Sequence, residues 1–425
     1  MGFIEDTLRP VPLPKILKAE QEFDRSEIED LPACIRGQLE QLSGFQGIQE
    51  GQRIAVTAGS RAIDRIDIVL RCVVDLVKQK GAKPFLVPAM GSHGGATAEG
   101  QLNYLRTLNI TEESMGAPIL SSMEVDLIGT IADGRPVYFD HYANQADGVV
   151  LVNRIKAHTS FKGPYESGLL KMMAIGLGKQ KGAQNYHKTG FREMPRIIQE
   201  VGKEVLRRKP ILFGIGLIEN GYGRLTKIAA LNPEEIVEKE RELLAFANSQ
   251  LPKLFFRQAD ALLIREIGKD ISGTGMDSNV TGRFNNPYFH NETEITKIGI
   301  LDLTEKTKGN ANGVGMADFI SQRCYEKIKL DQTYPNALTS TTVLTVKIPM
   351  ILNTDEMVAR AAVKTCNIMD FKDVRLALIQ NTKNMKTLYI SENMADEAER
   401  AGVKILGEAR EIPFDENGAL ELDFE

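Results

Sequence analysis

Residues 53–95 read RIAVTAGSRAIDRIDIVLRCVVDLVKQKGAKPFLVPAMGSHGG, and this stretch decides the fold class. Ile54 to Thr57 is a short apolar run that reads as a strand ending in Ala58-Gly59-Ser60-Arg61. Ile66, Val69, Leu70, Val73, Val74 and Val77 then recur at helical spacing, with Asp67, Arg71 and Asp75 on the other face. Gly81 stands where a helix stops. Pro84 to Val87 reads as a second strand, ending in Met90-Gly91-Ser92-His93-Gly94-Gly95. Strand, helix and strand in this order form a βαβ unit, which implies a mostly parallel sheet.

The pattern continues outward. Gly148 to Val152 reads as a buried strand that ends in Asn153-Arg154-Ile155-Lys156-Ala157-His158, and Ile211 to Ile218 as another, closed by Glu219-Asn220-Gly221-Tyr222. Asn232-Pro233-Glu234-Glu235 has a capping Asn, Pro at the first helical position and acids in the first turn, so a helix is expected to about Asn248. Gln250-Leu251-Pro252 breaks it. Beyond, Ala261 to Glu266, Ile298 to Leu303, Val343 to Ile348, Leu376 to Ile379 and Leu388 to Ile390 read as strands, with a helix over Met316 to Ile328. The expected architecture is two α/β domains, 1–250 and 251–425, with mostly parallel sheets and an active-site cleft between them.

Composition narrows the class. Hydrophobic residues make up 42% of the 425 residues and charged residues 26%, the balance of a globular protein with real cores. A formal net charge of -5 speaks against a nucleic-acid binder. No apolar stretch is long enough to span a membrane. Cys34, Cys72, Cys324 and Cys366 are widely spaced, which indicates neither a disulfide framework nor a thiolate zinc site. The opening MGFIEDTLRP lacks the basic and apolar regions of a signal peptide, so a cytoplasmic protein is expected.

Open α/β sheets bind ligands beyond the carboxyl ends of their strands. Three successive strand ends carry Arg61 (after Ser60), His93 and His158. A guanidinium clamps a carboxylate or phosphate, and imidazole titrates near neutral pH, so these are an anion contact and two acid/base candidates. Next comes FKGPYESGLLKMMAIGLGKQKGAQNYH, residues 161–187. Lys171 lies between Leu169-Leu170 and Met172-Met173; it is either a desolvated nucleophile or attachment point, or a lysine that snorkels out of a packed helix. Gly176, Gly178 and Gly182 would let backbone amides approach a phosphate, although the ending of a P-loop is missing. Lys269, in the Gly-rich loop 268–283, is a further candidate anion contact.

Arg61 after a Gly-Ser turn, the Gly-Ser-His loop, the strand-end His158, Lys171, and His187 sixteen residues beyond it together resemble the nickel-dependent lactate racemase family. That resemblance implies a lysine-tethered nickel-pincer nucleotide, a pyridinium mononucleotide holding nickel through sulfur and carbon. Lys171 matches the tether, His187 the nickel ligand, and His93 and His158 the two catalytic histidines. Arg61 with Ser60 matches the loop near the substrate carboxylate, and Asn279 and Arg283 match polar contacts of the second half loosely. The implied reaction is racemisation or epimerisation of a small 2-hydroxy acid. A histidine takes the hydroxyl proton while hydride leaves the carbon, and hydride returns to the other face of the 2-keto acid. Proteins that build the cofactor are implied partners.

Two positions depart from the family pattern. Ala58 stands where the first loop typically has Asp, and Gly94-Gly95 follow His93 where a basic residue is common. These changes point to another 2-hydroxy acid or a sugar acid rather than lactate. Two readings of other classes use the same residues. One is a metal-free isomerase or lyase with two histidine bases; the other is a non-catalytic protein that binds a small anion or nucleotide.

Overall fold

The computed structural model describes residues 2–60 and 62–424; Arg61 lies outside them. In chain order the strands are β1 (Ile16–Glu20), β2 (Arg53–Ala58), β3 (Lys83–Pro88), β4 (Val125–Thr130), β5 (Pro136–Asp140), β6 (Gly148–Arg154), β7 (Ile211–Glu219) and β8 (Leu225–Leu231). They are followed by β9 (Gln258–Ile264), β10 (Glu294–Ile300), β11 (Phe319–Ser321), β12 (Met350–Leu352), β13 (Leu376–Ile379), β14 (Thr387–Ser391) and β15 (Lys404–Arg410). Two compact units result: Asp24–Leu251, and Met1–Phe23 together with Pro252–Glu425.

In the unit Asp24–Leu251 the sheet order is β3-β2-β6-β7-β8. The first four strands run parallel, and β8 closes the edge antiparallel to β7. A separate antiparallel ribbon joins β4 to β5. Both faces of the main sheet are covered, which is why its strands are continuous apolar runs without alternation. On one face lies α1 (Ile66–Gln79), whose residues Ile66, Val69, Leu70, Val73, Val74, Leu76 and Val77 are all buried. The helices that matter below are α2 (Ala98–Thr107), α3 (Lys179–His187), α4 (Met194–Arg208) and α5 (Pro233–Gln250). At the start of α5, Asn232 and Glu235 form a reciprocal capping box with Pro233 in the first turn. Because β3, β2 and β6 are parallel neighbours, the loops after their carboxyl ends emerge side by side on one edge of the sheet.

The second unit holds an eight-stranded sheet, β12-β11-β10-β9-β13-β14-β1-β15. It is parallel from β12 to β13 and antiparallel beyond. Residues 1–23, expected with the N-terminal half, lie here instead, because β1 fills the place between β14 and β15. Two local expectations fail in this unit. Met316 to Ile328 is not one helix: a 3-10 turn ends at Met316, Phe319–Ser321 pairs with β10 as a strand, and only Gln322–Glu326 is helical. Val343 to Ile348 is not a strand but begins as the 3-10 turn Val343–Val346. Its Thr345 carbonyl accepts from Gly313 N–H, so its polar groups serve the loop 310–315, while the sheet edge is Met350–Leu352. Among the described residues no helix is long and apolar enough to cross a membrane. All four cysteines are free; Cys324 and Cys366 are buried and Cys34 and Cys72 half-buried.

Candidate active site

The loop after β2 is in van der Waals contact with its neighbours. A Cβ at Gly59 would lie 3.4 Å from Met172 Cε and 3.6 Å from Asn153 Oδ1, so this turn abuts the segment that carries Lys171. Ser60 is half-buried in that turn. Its neighbour Arg61, the anion contact expected from the sequence, lies outside the described residues.

After β3 the chain turns at Gly91, at φ +58, where its N–H donates to the Gly176 carbonyl at 3.2 Å. Ile175 Cγ2 would stand 3.1 Å from a Cβ there, so both conformation and space favour glycine. His93 is exposed, and its Nδ1 lies 2.8 Å from the Met90 carbonyl. A carbonyl only accepts, so Nδ1 carries the proton and Nε2 of the neutral ring is an acceptor. From α2, the fully buried Gln101 donates through Nε2 to the carbonyls of Gly91 (3.1 Å) and His93 (3.3 Å).

After β6, His158 is held in the opposite sense. The Ser160 N–H donates to its Nδ1 at 3.0 Å, so the neutral ring carries its proton on Nε2. The His158 N–H in turn donates to the buried Glu166 carboxylate at 2.6 Å. Burial pushes the Glu166 carboxyl up, against the pull of Lys162 and the two amides it accepts. The imidazole of His158 stacks on Phe161, with centroids 4.2 Å apart.

The segment from Gly168 to His187 carries the remaining candidates. Leu169 and Leu170 are fully buried. Leu169 fits a gap left by Gly214 on β7, and Leu170 one left by Gly202 on α4; a Cβ at either glycine would come within 2.7 Å or 2.4 Å of them. Their N–H groups donate to the buried Glu240 carboxylate of α5 at 2.8 and 3.0 Å. Burial pushes this carboxyl up to about 7 against those two amides. Asn153, at the end of β6, donates to the Gly168 carbonyl at 2.6 Å. With both leucines locked inward, Lys171 is turned half out of the core, its Nζ 5.5 Å from the centroid of Phe161. Neither sequence reading of this lysine is complete: the side chain is half-buried against an aromatic ring.

A π-helical turn, Met172–Gly176, follows, a rare form that recurs at functional sites. Of the three glycines read as a possible phosphate cradle, Gly176 and Gly178 pack closely against backbone. A Cβ at Gly176 would meet the Ala89 carbonyl at 2.7 Å, and one at Gly178 the Ala174 carbonyl at 2.4 Å. Helix α3 then ends at His187. The Nδ1 of His187 is buried and has no hydrogen-bond partner among the described residues. Burial, with the Lys171 charge adding to it, pushes this imidazole down to about 4. Its ring meets Phe191 edge-on at 5.4 Å, and Phe191 in turn stacks with Phe161 at 6.0 Å.

Lys171, His158 and His187 are thus gathered around the Phe161–Phe191 pair, and the His93 loop is bonded to the same segment through Gly91. Glu166, Glu240, Gln101, Phe161 and Phe191 were not singled out from the sequence. Glu240 meets a partner 71 positions away, Leu169, whereas Gln101 and Glu166 bond residues 8 to 10 positions away. In the other unit, Arg283 donates to the carbonyls of Ile295, Thr296 and Met316 and to Asp318. These bonds tie neighbouring loops to β10. Asn279 Nδ2 donates to Asp277, and Lys269 Nζ to the Gly273 carbonyl in its own loop.

The model of the lactate racemase N-terminal domain matches residues 20–198, a span that includes His93, His158, Lys171 and His187. Over these residues the chain is similar to the N-terminal domain of lactate racemases. Among solved structures it is similar to the lactate racemase apoprotein from Thermoanaerobacterium thermosaccharolyticum, at 14% identity and a TM-score of 0.53. The match covers 86% of this chain and 98% of that one. At that identity the likeness is one of fold, an α/β architecture that extends beyond the lactate racemase domain. No curated protein matches the sequence.

Proposed function

We propose that this chain is a cytoplasmic racemase or epimerase of a small 2-hydroxy acid, holding a nickel-pincer nucleotide through Lys171 and His187. The observation that carries the reading is the His187 ring nitrogen Nδ1, buried and without a hydrogen-bond partner among the described residues, at the far end of the segment that Lys171 opens. A buried polar atom left unpaired costs free energy unless something bonds it. Held neutral by burial, this imidazole is in the form that ligates a metal. Among the described residues no three His, Cys, Asp or Glu side chains gather around an ion. A metal at His187 therefore needs donors brought by a bound group, and a lysine tether supplies the means of holding one. The residues present fit such a group.

When bound, the group supplies a pyridinium ring that accepts hydride and soft donors suited to nickel. The chain's own residues do the rest. Lys171 holds the group, and Phe161 and Phe191 wall its surroundings and exclude water. His93, with Nε2 as acceptor, takes the proton of a substrate hydroxyl, while His158 offers Nε2–H to an oxygen. For the mirror-image substrate the roles exchange, which requires the Ser160 amide to release Nδ1 of His158. The free cysteines accord with a reducing compartment. Cofactor-building proteins are the partners this reading requires; nucleic acid and membranes play no part in it.

The complementary states of His93 and His158 also support a metal-free isomerase with two histidine bases. One experiment separates the two. Protein co-produced with the cofactor pathway is given a panel of 2-hydroxy acids carrying deuterium at C2, in ordinary water. Hydride transfer predicts the mirror-image product with its deuterium retained. Loss of the deuterium to solvent would show proton abstraction and support the metal-free enzyme.

A further inference from the structure

The chemistry above makes no use of a fully buried ion pair in the same unit. Lys179 and Asp140 form an ion pair at 3.1 Å in which both side chains are fully buried. Lys179 also sits at φ +52, a left-handed conformation that suits glycine and that L side chains rarely adopt. A strained backbone and a desolvated charge at one position indicate that the side chain itself is required there. Stability alone does not explain it, since an apolar pair of similar volume is often as stable as a buried ion pair. What an ammonium adds is three directed donors.

Two are engaged as hydrogen bonds: one donates to the carbonyl of Pro88, the last residue of β3, and one reaches Gln101 Oε1 at 3.4 Å, while Asp140 Oδ2 at 3.1 Å supplies the counter-charge. Gln101 passes the constraint on, since its Nε2 holds the carbonyls of Gly91 and His93. At its other end Lys179 is the first residue of α3, the helix that ends at His187. We propose that Lys179 is a positioning residue that fixes the His93 loop in register with the Lys171–His187 segment. It touches no substrate; it acts through Pro88 and Gln101. Its value for catalysis rests on the function proposed above, but the positioning does not.

The test uses two variants of the full chain. Lys179→Met with Asp140→Asn removes both charges and keeps the oxygen that caps the Ala143 N–H. Gln101→Leu cuts only the second link. Amide hydrogen exchange is followed at Gly91, His93 and Ala96, whose N–H groups are bonded to Gly176, Met90 and His93. Both variants are expected to speed exchange at these amides by about tenfold or more, with exchange in β2, β6 and α1 unchanged. In the cofactor-loaded enzyme, kcat falls while KM and the mass of the Lys171 adduct stay as in the parent. Parental exchange at 91–96 in either folded variant would overturn the positioning role. If the double variant does not fold, Gln101→Leu decides alone. Loss of protection at 91–96, in a chain whose parent never loads the cofactor, would instead refute the proposed function and leave the positioning intact.

Discussion

His187 and Glu240 show how much of this site is set by burial of single groups. In the folded chain the His187 imidazole titrates near 4 rather than near its ordinary 6.5. Between those values the unfolded chain binds a proton that the folded chain refuses, so His187 makes the metal-free protein less stable as pH falls from 6.5 to 4. His187→Gln is expected to flatten that decline, as measured by urea unfolding across the window. Glu240 works in the opposite sense. Its carboxyl is pushed up to about 7 from 4.5, so the folded chain keeps a proton the unfolded chain has lost, and its contribution to stability falls as pH rises from 4.5 to 7. Glu240→Gln retains an oxygen for the Leu169 and Leu170 amides and is expected to remove that fall, with a slope change of up to about 1 kcal/mol per pH unit. An unchanged slope would place the titration elsewhere. At the histidines, His93→Ala and His158→Ala are each expected to lower turnover of the loaded enzyme by about 10²–10⁴-fold. Lys171 stood out in the sequence for its apolar surroundings, and His187 for its place sixteen residues beyond it in the family resemblance. Glu240 and Lys179 did not, since a charged residue looks the same on a surface as in a core until its distant partner is known.

The elements that position the site were largely legible because their local signals and tertiary roles agree. α1 has its apolar stripe and α5 its Asn-Pro-Glu-Glu start, and both lie where those signals put them. Met316 to Ile328 failed for a physical reason. Met316, Phe319, Ile320 and Cys324 recur at helical spacing, yet Phe319 and Ile320 are needed beside Gly299 and Ile300 as a strand buried on both faces. Ser321 then caps the short helix through the Cys324 N–H. A three-residue strand is too short for periodicity to distinguish from a helical turn. The Gly-Leu-Leu-Lys turn depends on the small residues opposite it. Gly214→Val would push Leu169 from its place, with an expected loss of about 1–3 kcal/mol in denaturant unfolding and weaker retention of a group on Lys171. A variant as stable as the parent would show that this packing does not hold the turn.

For the whole molecule, the two α/β halves and the break near Leu251 follow from the order of helices and strands, but the path of the first 23 residues does not. β1 pairs with strands about 370 to 390 residues away, and nothing local in Ile16–Glu20 names them. Removal of residues 1–23 takes a strand from the interior of the eight-stranded sheet and leaves β14 and β15 with unpaired edges. Limited proteolysis of that truncated chain is expected to cut within 387–410 early and to leave the lactate racemase domain protected. Equal protection of both regions would contradict the assignment of the N-terminal strand to the second unit.

The most direct measurement is intact mass with metal analysis on protein co-produced with the nickel-pincer biosynthetic proteins, beside Lys171→Ala and His187→Ala. The account predicts an adduct of mononucleotide size on the peptide containing Lys171, about one nickel per chain, no adduct in Lys171→Ala, and an adduct with little nickel in His187→Ala. An unmodified, nickel-free chain, made under conditions that load a known lactate racemase, would contradict it.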